Sequence, residues 1–120
     1  GLDFSAPKGT PVYATGDGKV AMAYTSESYG NVIYIDHGHG YETRYAHLST
    51  FAIKAGEIVK RGNIIGSVGN SGTSVSSHLH YEILFKNQHV NPINFFQRDL
   101  SNTEYERLIE IGSTQSKALD

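Results

Sequence analysis

The runs of β-branched and aromatic residues in this chain are short, and glycine-containing turns separate them. Residues 31–36 read NVIYID and lead into the turn DHGHG, after which residues 41–47 read YETRYAH. Residues 57–69 contain two further short runs on either side of Gly62. Runs of about four to eight such residues between turn signals are typical of β-strands rather than of a helical bundle. The sequence therefore predicts an all-β domain.

Three more segments complete the predicted sheet. Residues 11–14 (PVYA) and 19–24 (KVAMAY) flank the turn GDG, which predicts a β-hairpin. Residues 78–85 form another strand that turns at residues 86–88. The segments GTPVYATGDGKV and GEIVKRGNIIGSVG also place Gly, Val and Gly at similar offsets. Such an echo fits two related half-barrels of short strands packed as a sandwich.

One helix is predicted near the end of the chain. Ser101 and Glu104 form a capping box, and Gly112 would close the helix at its C-terminus. The 120 residues suit one compact domain. We expect residues 1–98 to form that domain, and residues 99–120 to add a C-terminal helix and a tail that pack on it or extend it.

Composition argues against several classes of function. The formal net charge is -2, so the chain has no basic field for binding nucleic acid. No apolar run is long enough to span a bilayer. Cysteine is absent, so a metal site would have to use nitrogen and oxygen ligands. The chain opens on GLDFSAP without an initiator Met, and we expect it to be a processed or trimmed piece of something longer.

Side-chain alternation divides the predicted strand 78–85 into two unlike faces. Its odd-numbered positions are all apolar or aromatic and should face the core, whereas its even-numbered positions are His78, His80, Glu82 and Leu84. Residues two apart on a strand lie roughly 6.5 Å from each other. That spacing would let one histidine bind a metal while its neighbour reaches the metal-bound water. The alternative is a pair of polar residues on a solvated face.

His47 and Asp3 are two further candidates. His47 ends the run YETRYAH, where alternation places it on the same face as Tyr45, and strand ends aim side chains into clefts. A capping or surface histidine is the alternative. Asp3 stands between Leu2 and Phe4, and an acid among large apolar residues needs a partner or a metal. It would otherwise be a turn residue that is hydrogen-bonded to backbone.

The other histidines are expected to be turn and surface residues. His37 and His39 lie in the turn DHGHG, and His89 precedes VNP in a later turn. Tyr45 is expected to pack in the core, and a role in positioning at the site is the alternative. Glu82 would either orient a ligand histidine or be a solvated carboxylate.

Four segments, in this order, resemble the lysostaphin/LytM-type zinc endopeptidases. They are GLDFSAPKGTPVYA, GNVIYIDHGHGYETRYAHL, AGEIVKRGNIIGSVGNSGTSVSSHLHYEI and VNPINFF, which together span residues 1 to about 96. The resemblance implies a duplicated hybrid motif, a barrel-sandwich hybrid with a groove-bearing antiparallel sheet. It also implies hydrolysis of peptide bonds in peptidoglycan, and therefore a location in the bacterial cell envelope, periplasmic or extracellular.

The resemblance also implies a zinc site. Asp3 and His80 match two of the family's zinc ligands, and His47 and His78 match its catalytic histidines. The family's remaining ligand is a histidine four residues before the aspartate, which here would precede Gly1. We therefore expect the third ligand upstream of Gly1, although a site that is incomplete by nature is the alternative. His78 or His47 would orient the attacking water and accept its proton. The loops 25–30 and 70–77 are expected to wall the groove.

Two other functions fit parts of the sequence. A catalytically inactive LytM-like domain would act as a cell-wall-binding or hydrolase-activating module, and the missing first ligand keeps this alternative open. A carrier or phosphotransfer domain on a similar half-barrel fits less well. The hairpin tip GDG shows no carrier lysine, and a phosphocarrier histidine would not need Asp3.

Overall fold

The computed structural model describes residues 2–70 and 77–90, together with the backbone of residues 117–119. These residues form ten strands of one sheet, and each pairing between neighbouring strands is antiparallel. The strands are β1 (Leu2–Ser5), β2 (Pro11–Tyr13), β3 (Gly18–Ser26), β4 (Gly30–Gly38), β5 (Tyr41–Phe51), β6 (Ile58–Val59), β7 (Ile64–Val68), β8 (His78–Phe85), β9 (Gln88–Val90) and β10 (Lys117–Leu119). The prediction of an all-β domain is confirmed.

This ten-stranded sheet has a main path, which we call the main sheet, and a branch of two strands, which we call the smaller layer. The main sheet has the order β10-β1-β8-β5-β4-β3-β6, and β9 pairs with the end of β8. The smaller layer consists of β2 and β7, and β7 also pairs with β5. Leu79, Tyr81 and Ile83 of β8 pack with Val12 and Ile65 of the smaller layer in one hydrophobic cluster. The core therefore joins the two layers, on the apolar face that alternation predicts for β8.

A cluster of buried hydroxyl groups lies inside this core. This hydroxyl cluster consists of Thr15, Thr43, Tyr45 and Tyr81, all of them buried. The Tyr45 hydroxyl accepts hydrogen bonds from the Thr15 backbone N–H at 3.1 Å and from the Thr43 hydroxyl at 2.8 Å. The Thr15 hydroxyl lies 2.9 Å from the Tyr45 oxygen and 2.7 Å from the Tyr81 oxygen. Tyr45 thus packs in the core as expected, with its polar end satisfied by neighbouring hydroxyls.

The hairpin predicted for residues 11–24 is wrong. β2 pairs with β7, and β3 pairs with β4 and β6 instead. A Cβ on Gly18 would lie 2.5 Å from the Asp36 carbonyl oxygen, so this glycine lets β3 approach β4 closely. The backbone of Ala14 exchanges hydrogen bonds of 2.8 Å with Gly62 and Asn63, which hold this end of β2 near β7. The glycine turn therefore carries the chain between layers.

The turns predicted after β4 and after β8 are confirmed, and both of them close hairpins. β4 and β5 pair across the glycine turn at residues 38–41, and β8 and β9 pair across Lys86 and Asn87. Both of these turn residues have positive φ, 51° and 66°, as a tight two-residue hairpin turn requires. The predicted helix at residues 101–112 and the domain boundary at residue 98 lie outside the described residues. In the described part of the chain, no helix is long and apolar enough to cross a membrane.

Candidate metal and catalytic site

Asp3 and His80 lie directly opposite each other on the neighbouring strands β1 and β8. Paired residues of antiparallel strands project to the same face, and Asp3 Oδ1 lies 2.7 Å from His80 Nδ1. His78 precedes His80 by two positions on β8, and its Nε2 lies 3.6 Å from the same carboxylate oxygen. The exposed fractions of these three side chains lie between 16% and 26%, so the site is open to solvent on one side.

His47 lies at an irregularity of β5. Ile33 of β4 pairs with Tyr45, whereas Asn31 pairs with Leu48, so β5 contains one extra residue between the two pairs. His47 occupies this β-bulge with a φ of 63°, in the left-handed region that few non-glycine residues adopt. The bulge falls where β5 stops pairing with β8 and begins to pair with β7. His47 therefore marks the junction of the two layers.

The bulge turns the His47 ring toward the histidines of β8. Its ring centroid lies 4.9 Å from that of His78 and 6.1 Å from that of His80. The prediction that His47 shares a face with Tyr45 is wrong, because the bulge interrupts the alternation between them. The expectation that the strand ends at His47 is also wrong, because β5 continues to Phe51. We refer to Asp3, His47, His78 and His80 as the histidine cluster.

Glu82 is the nearly buried neighbour of this cluster, with an exposed fraction of 7%. Its Oε2 lies 2.8 Å from His80 Nε2, and the Tyr29 hydroxyl donates to both carboxylate oxygens at 2.8 Å. Arg44 adds an ion pair at 3.7 Å. Burial alone would raise the pKa of Glu82, but the hydrogen bonds from His80 and Tyr29 outweigh burial and lower the pKa to about 2. Glu82 is therefore not the solvated carboxylate that one of the two alternatives predicts. It contacts His80, as the other alternative requires.

His80 consequently has a carboxylate at each ring nitrogen. The hydrogen bond to Glu82 raises the pKa of His80 against the opposing effect of burial, and Asp3 raises it further. Both carboxylates only accept hydrogen bonds, so His80 donates from Nε2 to Glu82 and from Nδ1 to Asp3. A metal bound at Nδ1 would replace the proton on the side of Asp3, while the bond from Nε2 to Glu82 would stay. This arrangement orients the ring so that Nδ1 and Asp3 Oδ1 converge.

Tyr29 is a site residue that the sequence analysis did not single out. It lies in the turn between β3 and β4, inside the loop 25–30 that we expected to wall the groove. Its ring stacks on that of His80, with centroids 6.1 Å apart and planes at 26°. A lone aromatic residue in the polar turn TSESYG was the available signal. Most of the other expected wall, residues 71–76, lies outside the described residues.

The remaining histidines lie away from the cluster. His37 is a β4 residue rather than a turn residue, and its Nε2 lies 2.6 Å from the Thr43 hydroxyl while its Nδ1 lies 2.8 Å from the Asp17 carbonyl oxygen. Burial lowers its pKa, although the hydrogen bond to Asp17 opposes that effect. His39 is an exposed turn residue, as predicted. His89 is exposed, but it belongs to β9 instead of a turn.

The donor atoms of the cluster fit part of a zinc site. Imidazole nitrogen and carboxylate oxygen are both good zinc ligands, and Asp3 and His80 present one of each to the same point. Within residues 2–70 and 77–90, however, no group of three or more His, Asp or Glu side chains is arranged to hold a metal ion. A catalytic zinc normally has three protein ligands and a water. The described residues therefore supply a ligand pair, and the ligand and catalytic roles of the cluster stay predictions.

The chain is similar in sequence to known peptidases. The sequence profile of peptidase family M23 matches residues 1–92. The peptidoglycan DD-endopeptidase ShyA of Vibrio cholerae is 47% identical over 91 residues, which are 76% of this chain and 21% of ShyA. The chain thus spans about a fifth of the length of this curated relative.

Solved structures of two similar proteins share the fold. A zinc-containing peptidase from Vibrio cholerae matches with a TM-score of 0.72 and 44% identity, over 73% of this chain and 27% of that one. The catalytic domain of the antimicrobial peptidase lysostaphin from Staphylococcus simulans matches with a TM-score of 0.75 and 35% identity, over 79% of this chain and 76% of that one. The expected lysostaphin/LytM-type fold is confirmed.

Proposed function

This chain belongs to peptidase family M23, and we propose that it is the peptidase domain of a zinc-dependent endopeptidase that hydrolyses peptide bonds in peptidoglycan cross-links or stem peptides. The observation that supports this most strongly is the meeting of Asp3, His47, His78 and His80 on one face of the sheet. The similarity to ShyA, whose name describes a peptidoglycan DD-endopeptidase, supports the class of substrate. Such a substrate would place the protein in the bacterial cell envelope.

Asp3 and His80 are the proposed zinc ligands in this chain. Their Oδ1 and Nδ1 atoms lie 2.7 Å apart, and the hydrogen bond from His80 Nε2 to Glu82 holds the imidazole in the orientation that directs Nδ1 toward Asp3. We propose that the third protein ligand is a histidine upstream of Gly1. When bound at this site, zinc supplies a Lewis acid that lowers the pKa of a coordinated water to about 7.

His78 and His47 are the proposed catalytic residues. His78 Nε2 lies 3.6 Å from Asp3 Oδ1, which places this imidazole beside the proposed ligands. The His47 ring lies beside both histidines of β8, with its centroid 4.9 Å from that of His78 and 6.1 Å from that of His80. One imidazole would accept the proton of the attacking water, and a histidine would then protonate the leaving amine. The other imidazole, when protonated, would stabilise the negative charge that develops on the scissile carbonyl oxygen.

The test of this function is digestion of purified muropeptides by the chain extended upstream of Gly1, together with its zinc content. We expect about one zinc per chain, cleavage of cross-linked muropeptides, and loss of cleavage when a chelator removes the metal. A His39→Asn variant should match the unaltered protein, because His39 lies in an exposed turn away from the cluster. Bound zinc with intact muropeptides would instead favour a cell-wall-binding or hydrolase-activating module.

A further inference from the structure

Tyr29 contacts both sides of the histidine cluster from outside it. Its hydroxyl donates to both carboxylate oxygens of Glu82 at 2.8 Å, and its ring stacks on His80. Its backbone carbonyl accepts the N–H of His47 at 2.8 Å. One residue of the β3–β4 turn therefore touches the carboxylate that holds a proposed ligand, and also the backbone that presents a proposed catalytic histidine.

The contact with His47 meets a structural need. A non-glycine residue with a φ of 63° is in a sparsely populated and strained conformation. Such a conformation persists only where surrounding bonds fix it, and the hydrogen bond from His47 to Tyr29 is one of them. The Asn31 side chain provides another, because its amide donates to the Leu48 carbonyl at 2.9 Å on the other side of the bulge.

The Tyr29 backbone is itself held in place. Its N–H is bonded to the Ser26 hydroxyl at 2.9 Å, which closes the β3–β4 turn around it. Its ring fills the space beside His80, and its hydroxyl aims at the buried Glu82 carboxylate. The one proton of this hydroxyl is committed to Glu82, and its oxygen also meets Arg44, which is ion-paired with the same carboxylate at 3.7 Å. The contact of the hydroxyl with the site therefore runs through the Glu82 carboxylate.

We propose that Tyr29 is a positioning residue of this site, which fixes the Glu82 carboxylate so that Glu82 in turn fixes the His80 ring. The inference rests on the proposed function, in which His80 is a zinc ligand. Without the Tyr29 hydroxyl, the Glu82 carboxylate can rotate away from His80 Nε2. The His80 ring is then no longer held in the orientation that directs Nδ1 toward Asp3. The hydroxyl accordingly contributes to zinc affinity through Glu82 and His80.

The test is a double-mutant cycle on zinc affinity in the chain extended upstream of Gly1, measured by competition with a chromophoric chelator. Tyr29→Phe keeps the stacked ring and removes only the hydroxyl, and we expect zinc affinity to fall about tenfold, as for other groups that orient metal ligands. In a Glu82→Ala background, Tyr29→Phe should change zinc affinity by less than about twofold, because the carboxylate through which the Tyr29 hydroxyl acts is absent. Tyr24→Phe is the matched control, since the Tyr24 hydroxyl lies 3.2 Å from that of Tyr34 at an exposed position.

Two results overturn the inference. Unchanged zinc affinity in Tyr29→Phe would show that the hydroxyl positions nothing. An equal loss in both backgrounds would show that it acts without Glu82. These zinc affinities test the role of Tyr29 even if the protein cleaves no muropeptide. Failure of the proposed hydrolase activity is therefore distinguishable from failure of this inference.

A metal-free measurement covers the case in which the extended chain binds no zinc, which would itself contradict the proposed function. In this case the exchange of the His80 Nε2 proton with water is followed by NMR on protein labelled with ¹⁵N-histidine. We expect a protected proton that exchanges at least about tenfold faster in Tyr29→Phe, because a carboxylate that is no longer fixed holds its donor less firmly. Equal protection in both proteins overturns the inference.

Discussion

Strands β5 and β8 carry two polar clusters on their opposite faces. Tyr45 and Tyr81 pair across these strands and contribute to the hydroxyl cluster inside the core. The adjacent pair, Ala46 and His80, lies on the outer face with the histidine cluster. The two clusters are thus one residue apart along the same strands, but they differ in charge and in burial.

The difference shows what each environment tolerates. Hydroxyl groups are neutral and both donate and accept, so Thr15 and the two tyrosines are hydrogen-bonded to one another inside the core. Imidazoles and carboxylates change charge, and complete burial of a charge is costly unless it is paired. The histidine cluster accordingly keeps one side open to solvent, and the buried carboxylate beside it, Glu82, has three polar partners. We expect the hydroxyl cluster, which we also call the inner cluster, to determine the stability of the fold. We expect the histidine cluster, the outer cluster, to determine its chemistry.

The sharpest test of this division is His80→Ala in the chain extended upstream of Gly1. We expect it to abolish zinc binding and hydrolysis together, because it removes one of the two proposed ligands in this chain. The zinc content by mass spectrometry under native conditions checks this, with His39→Asn as a control that should bind as the unaltered protein does. Undiminished zinc in His80→Ala would contradict the ligand assignment.

A second substitution separates ligand from catalytic residue within the outer cluster. His78→Ala should keep its zinc and lose about 10²–10⁴-fold in the rate of muropeptide cleavage, as expected when a general acid or base is removed. Both quantities are measured on the same preparation. Loss of zinc in this variant would move His78 into the ligand set instead.

The inner cluster is tested by Tyr45→Phe, which should affect stability rather than zinc content. Removal of the hydroxyl leaves the buried Thr15 N–H without its acceptor, which costs about 1–3 kcal/mol in the free energy of unfolding. Urea denaturation measures the change. Tyr24→Phe, at an exposed hydroxyl pair, should stay within about 0.5 kcal/mol of the unaltered protein. An unchanged free energy of unfolding in Tyr45→Phe would contradict the proposed division of roles between the two clusters.

The smallest expected effect concerns His37, at the edge of the hydroxyl cluster. Burial lowers its pKa in the folded protein, although the Asp17 carbonyl and the charges of Asp36, Asp17 and Glu42 oppose the shift. As the pH falls below about 6.5, the unfolded chain therefore takes up a proton that folded His37 resists, and the free energy of unfolding decreases.

The pH dependence isolates this contribution. Urea unfolding at pH 7.5 and at pH 5.5 should show a smaller acid-induced loss of stability in His37→Gln than in the unaltered protein. A His39→Gln variant should keep the original pH dependence, because His39 is an exposed turn residue. An identical loss in His37→Gln and in the unaltered protein would show that His37 does not resist protonation in the fold.

Much of the outer cluster could be predicted from the sequence. The two-residue period of β8 places His78, His80 and Glu82 on one face, and the resemblance to zinc endopeptidases indicated which other residues to consider. The prediction failed where the period itself was broken. Alternation assigned His47 to the face of Tyr45, but the bulge reverses its direction, and no local pattern in YETRYAH reveals an extra residue. Tyr29 was missed for a related reason, since its partner Glu82 is 53 residues away.

The pairing of β2 shows the same limit at the level of the fold. A glycine turn between two apolar runs is a valid hairpin signal, and it held for β4 and β5. For β2 it failed, because pairing with β7 lets Val12 join the core of the smaller layer. Burial in the complete core outweighed the local turn preference.

The sequence by itself determined the elements: short strands, the turns that end most of them, and the unlike faces of β8. These follow from geometry between near neighbours, which every stretch of chain carries with it. Only the tertiary structure decided that Asp3 lies opposite His80, 77 residues away, and that His47 joins them at the junction of two layers. Strand register and bulges depend on how the whole core packs, so they cannot be obtained from any one segment.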